Sequence, residues 1–463
     1  MTEPLSIEEK IDAFIKRIDN LEKEVDNLKN ENRGLKTHVN QLTNRLARYE
    51  TPKNSNNSNK PPSSDFPKQQ RTRSLRETTG KKPGGQFGHE GTTLRMVSNP
   101  DIIENHSPSF CTFCGEDLSV QHGIFAGKRQ VIDIPPIVPI VTEHRLFDKC
   151  CKCGHLNQAS FPEGVTAPVS YGENVQALTA YLSARQYVPV KRLSELLSDM
   201  FGLSVSTGGI GYILNKMQRK ATAVYESIRQ NVLKNLVIGA DETGVNINGK
   251  NNWAWTFQYD KATFIAVHPN RGFKAIETIL PEGLQNNILV TDCWSSYFKT
   301  NAVSHQLCTA HLLRELNFLI EKYKIDTWST RMSQLIIKAL NLRRENKTTK
   351  DNVNQILDSF AELNNETLNH EMEDVIAFQK RMIKYSAYVF NFLLNSDIPP
   401  DNNGSERAIR NFKVKLKISN FFKSKQGAQV YATIRSVIDT AIKNNKNPFE
   451  IVKLIALCHP ATE

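Results

Sequence analysis

The sequence contains no apolar run of the roughly 18–20 residues that a membrane span needs, and residues 1–10 hold no hydrophobic signal segment. We therefore expect a cytoplasmic protein without membrane contact. Cysteine is scarce, with eight in 463 residues, which excludes a disulfide-stapled scaffold and leaves metal binding as the expected use of the clustered ones. Acidic residues are in the minority, 48 against 59 Lys and Arg, and the net charge of +11 favours a polyanionic partner such as nucleic acid. The length exceeds that of one ordinary domain.

The first fifty residues carry a heptad repeat in which eleven of twelve seam positions are apolar or aromatic. β-branched residues at a and leucine at d favour a parallel two-stranded coiled coil, in which a buried Asn such as Asn32 fixes the register. A single amphipathic helix packed on its own protein is the alternative. We predict a coiled coil over residues 1–50 that makes the protein a homodimer or a higher oligomer. The seam consists of Ile11, Ile18, Val25, Asn32, Val39 and Leu46 at a, and of Phe14, Leu21, Leu28, Leu35, Leu42 and Tyr49 at d.

The composition changes abruptly after the heptads. Residues 51–90 hold eight Lys and Arg against three acids and few residues that could build a core, so we predict a flexible basic linker over residues 51–100. Its glycine-rich stretch follows no strand and lacks a Gly-Lys-Ser/Thr ending, which excludes a phosphate-binding loop. The linker is either a solvated tether or an arm that follows DNA phosphates, with Lys81 and Lys82 as candidate contacts.

Two Cys-x-x-Cys-Gly knuckles follow, Cys111 with Cys114 and Cys150 with Cys153. Paired thiolates at this spacing on a tight turn bind one face of a tetrahedral zinc ion. Because four thiolates leave no open position, we predict a structural zinc site within a small ribbon over residues 101–165.

Two details of this region bear on the prediction. The apolar runs at 131–134 and 137–141 are suited to a small β-ribbon between the knuckles. Cys151 is an extra thiol that could replace Cys150, although only Cys150 preserves the two-residue spacing.

Carboxylates follow two predicted strands. Residues 236–240 form a short apolar run that ends at Asp241, and residues 287–291 form another that ends at Asp292. Two further strands and a helix lie between them, and this order is that of a ribonuclease-H-like core. Carboxylates on neighbouring strands can hold two Mg²⁺ ions about 4 Å apart for phosphoryl transfer. An Asp at a strand end more commonly caps a turn, so the spacing alone leaves both interpretations open.

The rest of the sequence is predicted to be helical. Residues 305–396 are too long for a loop and are predicted to be a helical insertion in a core over residues 233–425. Residues 401–425 hold seven Lys and Arg against two acids, and Glu406 within them is either a solvated acid at a helix start or a third metal ligand.

Two flanking segments complete the predicted organisation. Residues 166–232 contain a possible helix-turn-helix, which Gly208, Gly209 and Gly211 weaken. Residues 426–463 form a C-terminal helical element.

Several motifs, in this order, resemble the insertion sequence 66 family of bacterial DDE transposases. The match covers residues from about 54 to 449, and no single motif is as specific as the set. The motifs are Asn54–Asp65, Gly84–Gly91, the two cysteine knuckles, Phe161–Gly172, Ala240–Thr243, Thr291–Trp294, Cys308-x-x-His311-x-x-Arg314, Asn402–Arg407 and Thr440–Phe449.

The resemblance implies a fold and an activity. The fold is mixed and multidomain, with a coiled coil, a zinc ribbon, a helical DNA-binding-like segment and a ribonuclease-H-like α/β catalytic core with a helical insertion. The activity is cleavage of element ends and strand transfer into target DNA. Partners are the terminal repeats, target DNA, further copies of the chain and small accessory proteins of the same element, in the bacterial cytoplasm at the nucleoid.

The resemblance also assigns residues. Asp241, Asp292 and Glu406 become the catalytic triad with Mg²⁺ or Mn²⁺, whereas the neighbouring acids Glu242 and Asp401 are expected to tolerate their amides. Zinc ligation falls to the four knuckle cysteines, and packing of a helix is expected of Cys308 and His311. The candidate phosphate contacts, besides the two linker lysines, are Arg407, Arg410, Lys413, Lys415 and Lys417.

Two residues and two rival functions stay open. Trp294 and Tyr297 either stack on a displaced base near the cut or, more commonly for such residues, pack in the core. A non-catalytic, zinc-containing DNA-binding regulator would use the coiled coil, the zinc and the basic arm equally well, but it has no need of three acids. A nuclease on the same core would cut DNA without joining it.

Overall fold

The computed structural model describes residues 7–50, 88, 94–165, 167–324 and 327–458, and within the first helix it describes the side chains of residues 15–39 and 42. Helix α1 (Ile7–Glu50) is continuous over the predicted heptads. Its described seam residues are about half exposed, from 47% at Val25 to 65% at Leu35, so the pairing stays a prediction. Lys81, Lys82 and most of the predicted linker lie outside the described residues.

Residues 94–165 contain little regular structure. Strands β1 (Lys149–Cys150) and β2 (Leu156–Asn157) form a small antiparallel hairpin at the second knuckle, and a bridge joins Phe110 to Asp117 at the first. The β-ribbon predicted for residues 131–141 is wrong, because these residues form no strand. Their apolar side chains meet no surface that would bury them, as the 93% exposure of Ile140 illustrates.

Three helices precede the sheet. They are α2 (Glu173–Ala184), α3 (Val190–Phe201) and α4 (Thr207–Leu233). Gly202 ends α3 in the left-handed conformation with φ 64°, which costs glycine little. Ser206 begins α4, because its hydroxyl accepts a hydrogen bond from the Gly209 amide. This cap explains why the glycines of the first turn do not prevent the helix.

A five-stranded sheet forms the centre of the fold. Its strands are β3 (Val237–Ile247), β4 (Lys250–Tyr259), β5 (Ala262–His268), β6 (Ile288–Thr291) and β7 (Ser304–Leu307), and helix α5 (Phe273–Ile279) lies between β5 and β6. The spatial order is β5-β4-β3-β6-β7, in which β3, β4 and β5 pair antiparallel and β6 and β7 run parallel to β3.

Strand β7 is absent from the sequence prediction, which begins the helical insertion at residue 305. Its two central residues, His305 and Gln306, are polar and therefore hide the strand from an apolar pattern. Gln306 is nevertheless fully buried, because its amide donates to the Val389 carbonyl and accepts from the Phe392 amide.

The helices after β7 pack on one side of the sheet. They are α6 (Thr309–Lys322), α7 (Thr327–Arg344), α8 (Lys350–Asn365), α9 (Glu373–Lys384) and the single turn α10 (Asn391–Leu394). Their buried residues form a cluster with Val237, Val290 and Leu307 of the sheet. Helix α11 (Asn403–Ser419) then returns to contact β3 and β4.

Helices α12 (Lys425–Lys443) and α13 (Pro448–Leu457) belong to the same buried core as α2, α4 and the sheet. Helix α12 also covers the edge strand, because the Thr440 and Ser436 hydroxyls accept from the amides of Thr263 and Ile265 at 3.1 and 2.9 Å. Within the residues described, no helix is both long enough and apolar enough to span a bilayer.

Candidate active site

Asp241 lies on the central strand and Asp292 directly follows its parallel neighbour. The register pairs Gly239 with Val290, two residues before each acid, so the strands bring both carboxylates to one region of the sheet. Trp294 donates its amide to Asp292 Oδ1 at 2.9 Å and thereby fixes the turn after β6. Asp292 directly follows its strand as predicted, whereas the prediction that Asp241 ends its strand is wrong, because β3 continues to Ile247 in register with β4.

Glu406 reaches the same region because the start of α11 is bonded to β3. Asn402 Nδ2 donates to the Ala240 carbonyl at 2.6 Å, and Ser405 Oγ donates to Asn402 Oδ1 at 2.6 Å. Both side chains are buried. The polar Asn402–Ser405 pair thus joins the residue before Asp241 to the turn that carries Glu406.

Two glycines permit this close approach. A Cβ at Gly239 would lie 2.6 Å from Asn402 Oδ1 and 2.7 Å from Ser405 Oγ, and a Cβ at Gly404 would lie 2.6 Å from Gln258 Nε2. Real Cβ atoms do not tolerate such distances. Glycine at 239 is therefore a condition for α11 to contact the strand, whereas at Gly404 only the end of the flexible Gln258 side chain would have to move.

The three acids interact electrostatically. The pKa of the Asp241 carboxyl is raised to about 8, first by burial and then by the negative charges of Glu242, Asp292 and Glu406, against one amide hydrogen bond that lowers it. Close carboxylates in a poorly solvated place disfavour joint ionisation. Burial and the neighbouring carboxylates therefore disfavour ionisation of Asp241, although Glu242 and Glu406 each have an arginine partner.

Such a set fits a divalent cation. Carboxylate oxygens are the preferred ligands of Mg²⁺ and Mn²⁺, and a cation would relieve the repulsion that raises the Asp241 pKa. Asp241, Asp292 and Glu406 are the residues of this region that could hold it.

Glu406, however, is turned toward helix α6. Arg314 Nη2 donates to Glu406 Oε1 at 2.8 Å, and His311 Nδ1 lies 3.5 Å from the same oxygen without a hydrogen-bond partner in the described part of the chain. Burial and the Arg314 charge lower the His311 pKa. The ion-pair partner of Glu406 is therefore Arg314 and not a protonated His311.

Among the described residues, Cys308, His311 and Glu406 form the one group of three potential ligands that lie within 4.8 Å of one another. Burial raises the pKa of the Cys308 thiol to about 12, and its sulfur accepts the Asn402 amide at 3.2 Å. A thiol held protonated is a poor metal ligand. The group instead connects the start of α6 to the turn before α11.

Glu242 points to the opposite face of β3 from Asp241. Its side chain is 2% exposed, accepts from the Tyr297 hydroxyl and forms an ion pair with Arg271 at 2.7 Å. The expectation that Glu242 tolerates its amide stays a prediction, but its buried and bonded carboxylate makes it an unsuitable control. Tyr297 is 1% exposed, so its ring packs in the core and is not available to stack on a base.

The cations of α11 divide into two groups. Arg407, Arg410, Lys413 and Lys417 are exposed and follow one another at helical spacing. Lys415 is buried, and its ammonium lies 3.3–3.4 Å from the carbonyls of Ser183, Tyr187 and Val188 after α2. The predicted phosphate contact of Lys415 is therefore wrong, because this lysine connects α11 to α2.

Each cysteine knuckle forms its turn. Gly115 and Gly154 adopt φ values of 78° and 86°, and their amides donate to the carbonyls of Cys111 and Cys151 at 2.9 Å. Hydrogen bonds from Cys114 lower the Cys111 pKa, and hydrogen bonds from Cys153 lower the Cys151 pKa.

The structure does not bring the two knuckles together. Among the described residues, no three sulfurs of the two knuckles lie within 4.8 Å of one another. Thiol pairs of this kind fit zinc by their chemistry, but the four-sulfur site stays a prediction.

Sequence reasoning missed the contacts that hold the acids. Arg314 and Asn402 lay within motifs that the resemblance named, but their partners are more than 90 residues away. Nothing in the local sequence around Arg271 signalled its pairing with Glu242.

Comparisons with known proteins identify the family of the chain. The model of the family described as Transposase IS66 family matches residues 168–430. That of a family of unknown function, DUF6444, matches residues 9–95. A search of curated proteins finds no match. Because the first of these models covers more than half of the chain, from before α2 into α12, the protein belongs to the IS66 transposase family.

Proposed function

We propose that the protein is a DNA transposase that binds the ends of its element, cleaves DNA with divalent metal ions and joins the freed end to target DNA. The observation that carries this proposal is that β3 and β6 bring Asp241 and Asp292 to one region of the sheet, where Glu406 is near enough for its charge to act on Asp241. Burial first, and then the neighbouring negative charges, raise the Asp241 pKa to about 8. A regulator that only binds DNA has no use for such a costly cluster.

The residues have distinct roles in this proposal. Asp241, Asp292 and Glu406 would together hold the metal ions. When bound, the ions supply charge stabilisation for the attacking and leaving oxygens of the phosphodiester. Glu406 would have to leave Arg314 to take part, since the two are 2.8 Å apart. The exposed cations of α11 would contact the DNA backbone.

We infer that residues 233–425 form a ribonuclease-H-like core. The order β5-β4-β3-β6-β7, with three antiparallel strands followed by two parallel ones, supports this inference. In such a core, Asp241 lies on the central strand β3, close to the end of the parallel strand β6 that Asp292 follows.

In this proposal, helices α3 and α4 recognise the element ends. The two helices are joined by a short turn through Gly202, and α4 presents an exposed Tyr212 and Arg219. A second helix presented in this way suits the major groove.

The function is tested with DNA that flanks the chain's own gene. Purified protein and Mg²⁺ should nick that DNA at the element end and join the resulting 3′-hydroxyl to a target plasmid. Cutting without joining would support a nuclease instead. Binding without cutting, in Mg²⁺ and in Mn²⁺, would support a regulator.

The coiled coil gives a first structural prediction. Glutamate in place of both Leu21 and Leu28 should convert a dimer into a monomer at low micromolar concentration, because each unpaired buried charge costs about 3 kcal/mol or more. Sedimentation of the full-length protein measures the change.

A control pair has the same spacing on the outer face of the helix. Glutamate in place of Lys23 and Asn30 should leave the dimer intact, since these positions lie opposite the seam. A seam variant that still sediments as a dimer would contradict the coiled-coil interface.

The zinc knuckles give a second prediction. Metal analysis should find about one zinc per chain, and Cys114→Ser or Cys153→Ser should lose it. Because Cys151 is the thiol whose pKa is lowered by hydrogen bonds from Cys153, we expect Cys151→Ser to lose zinc and Cys150→Ser to retain it. The opposite result would assign the site to Cys150, as the spacing predicts, and Cys293→Ser serves as the control with no expected effect.

A further inference from the structure

Arg271 lies in an arrangement that we call the arginine clamp, formed by Trp253, Trp294 and Glu242 around its guanidinium. The guanidinium carbon is 4.8 Å from the centre of the Trp253 ring and 4.5 Å from that of Trp294. Its Nε and Nη2 atoms contact Glu242 Oε1 at 2.9 and 2.7 Å. Two aromatic rings and one carboxylate thus fix the position and the orientation of the guanidinium group.

The clamp is connected to the proposed catalytic acids through the turn after β6. Glu242 follows Asp241 on β3, and Trp294 donates its amide to Asp292 Oδ1 at 2.9 Å. The ring of Trp294 thus contacts Arg271 while its amide is bonded to Asp292, so the clamp lies beside the turn that carries Asp292.

The clamp leaves part of Arg271 open to solvent. The side chain is 44% exposed, whereas its partner Glu242 is 2% exposed. Nη1 has no hydrogen-bond partner in the described part of the chain, although Nε and Nη2 are engaged. A cation that served only to neutralise Glu242 would not need two tryptophans to hold its remaining edge toward solvent.

We propose that Arg271 binds a phosphate of the DNA strand that enters the site beside Asp292. The guanidinium matches a phosphate in charge and in donor geometry, and the two rings keep it in place before DNA arrives. The clamp thereby places a fixed positive charge next to a region that is otherwise negative. This assignment rests on the proposed transposase function.

The test separates phosphate binding from neutralisation of Glu242. Arg271→Gln alone leaves Glu242 buried without its cation and is expected to reduce stability. The double variant Glu242→Gln with Arg271→Gln removes both charges and should fold, yet it should cut element-end DNA about 10–100-fold more slowly than the parent. The control is Arg331→Gln on α7, which breaks a similar, partly exposed ion pair with Glu366. This variant should cut at the parent rate.

A scan of the DNA gives a second readout. Neutral methylphosphonate groups placed one at a time near the cut should include one position that slows the parent but causes no further loss in the double variant. Parent-like cutting by the double variant, or equal losses at every position in both proteins, would overturn the assignment of Arg271 while the transposase function stands. Failure of the parent protein to cut would overturn both.

Discussion

Asp292→Asn is expected to bind element-end DNA like the parent protein and to neither cut nor join it. The amide keeps the shape of the carboxylate but removes the negative charge that a divalent cation needs. Losing several kcal/mol of transition-state stabilisation lowers the rate about 1,000-fold or more. DNA binding rests on the exposed cations and should not change. Gel-shift and cleavage assays on one preparation measure both properties, with the same result expected for Asp241→Asn and Glu406→Gln.

The choice of control follows from the burial of the neighbouring acids. Glu242 is unsuitable, because its carboxylate is buried against Tyr297 and Arg271. Asp401 lies at the start of α11, where it accepts the Asn403 amide at 3.0 Å, and Asp401→Asn should retain most activity. An inactive Asp401→Asn with an active Glu406→Gln would mean that the third acid lies five residues earlier. Full activity in all three amide variants would exclude the proposed mechanism.

The sequence predicts the strands of the sheet better than the contacts between distant segments. Asp241 and Asp292 are recognisable because each follows an apolar run, and parallel pairing then brings them together. Glu406 has no such signal, since its position depends on the bond from Asn402 to Ala240, 162 residues away in sequence. The resemblance to a family supplied what periodicity alone lacked.

The wrong predictions share a physical cause. Lys415 was placed at the DNA because of its type and sequence position, yet its side chain is buried. Strand β7 was missed because it is polar, and its buried Gln306 is satisfied by partners more than 80 residues away. Burial of a polar side chain depends on tertiary partners, which a local pattern does not contain.

The connection between α11 and β3 predicts the second large effect. Gly239→Ala would introduce a methyl group 2.5 Å from Gln258 Nε2, 2.6 Å from Asn402 Oδ1 and 2.7 Å from Ser405 Oγ. Gln258 could move its amide, but Asn402 and Ser405 are buried and bonded to one another and to Ala240. We expect a loss of about 1–3 kcal/mol in the free energy of unfolding. Denaturant titration measures it.

Activity should fall further than stability in this variant, because the displaced turn carries Glu406. We expect DNA cleavage to fall at least 100-fold at a temperature where the variant is still folded, since misplacement by about 1 Å can cost that factor. Gly244→Ala on the same strand is the matched control, because a Cβ there meets no atom within 4 Å. It should cut DNA at the parent rate. Equal activity of the two alanine variants would show that the position of Glu406 does not depend on the close approach of α11 to β3.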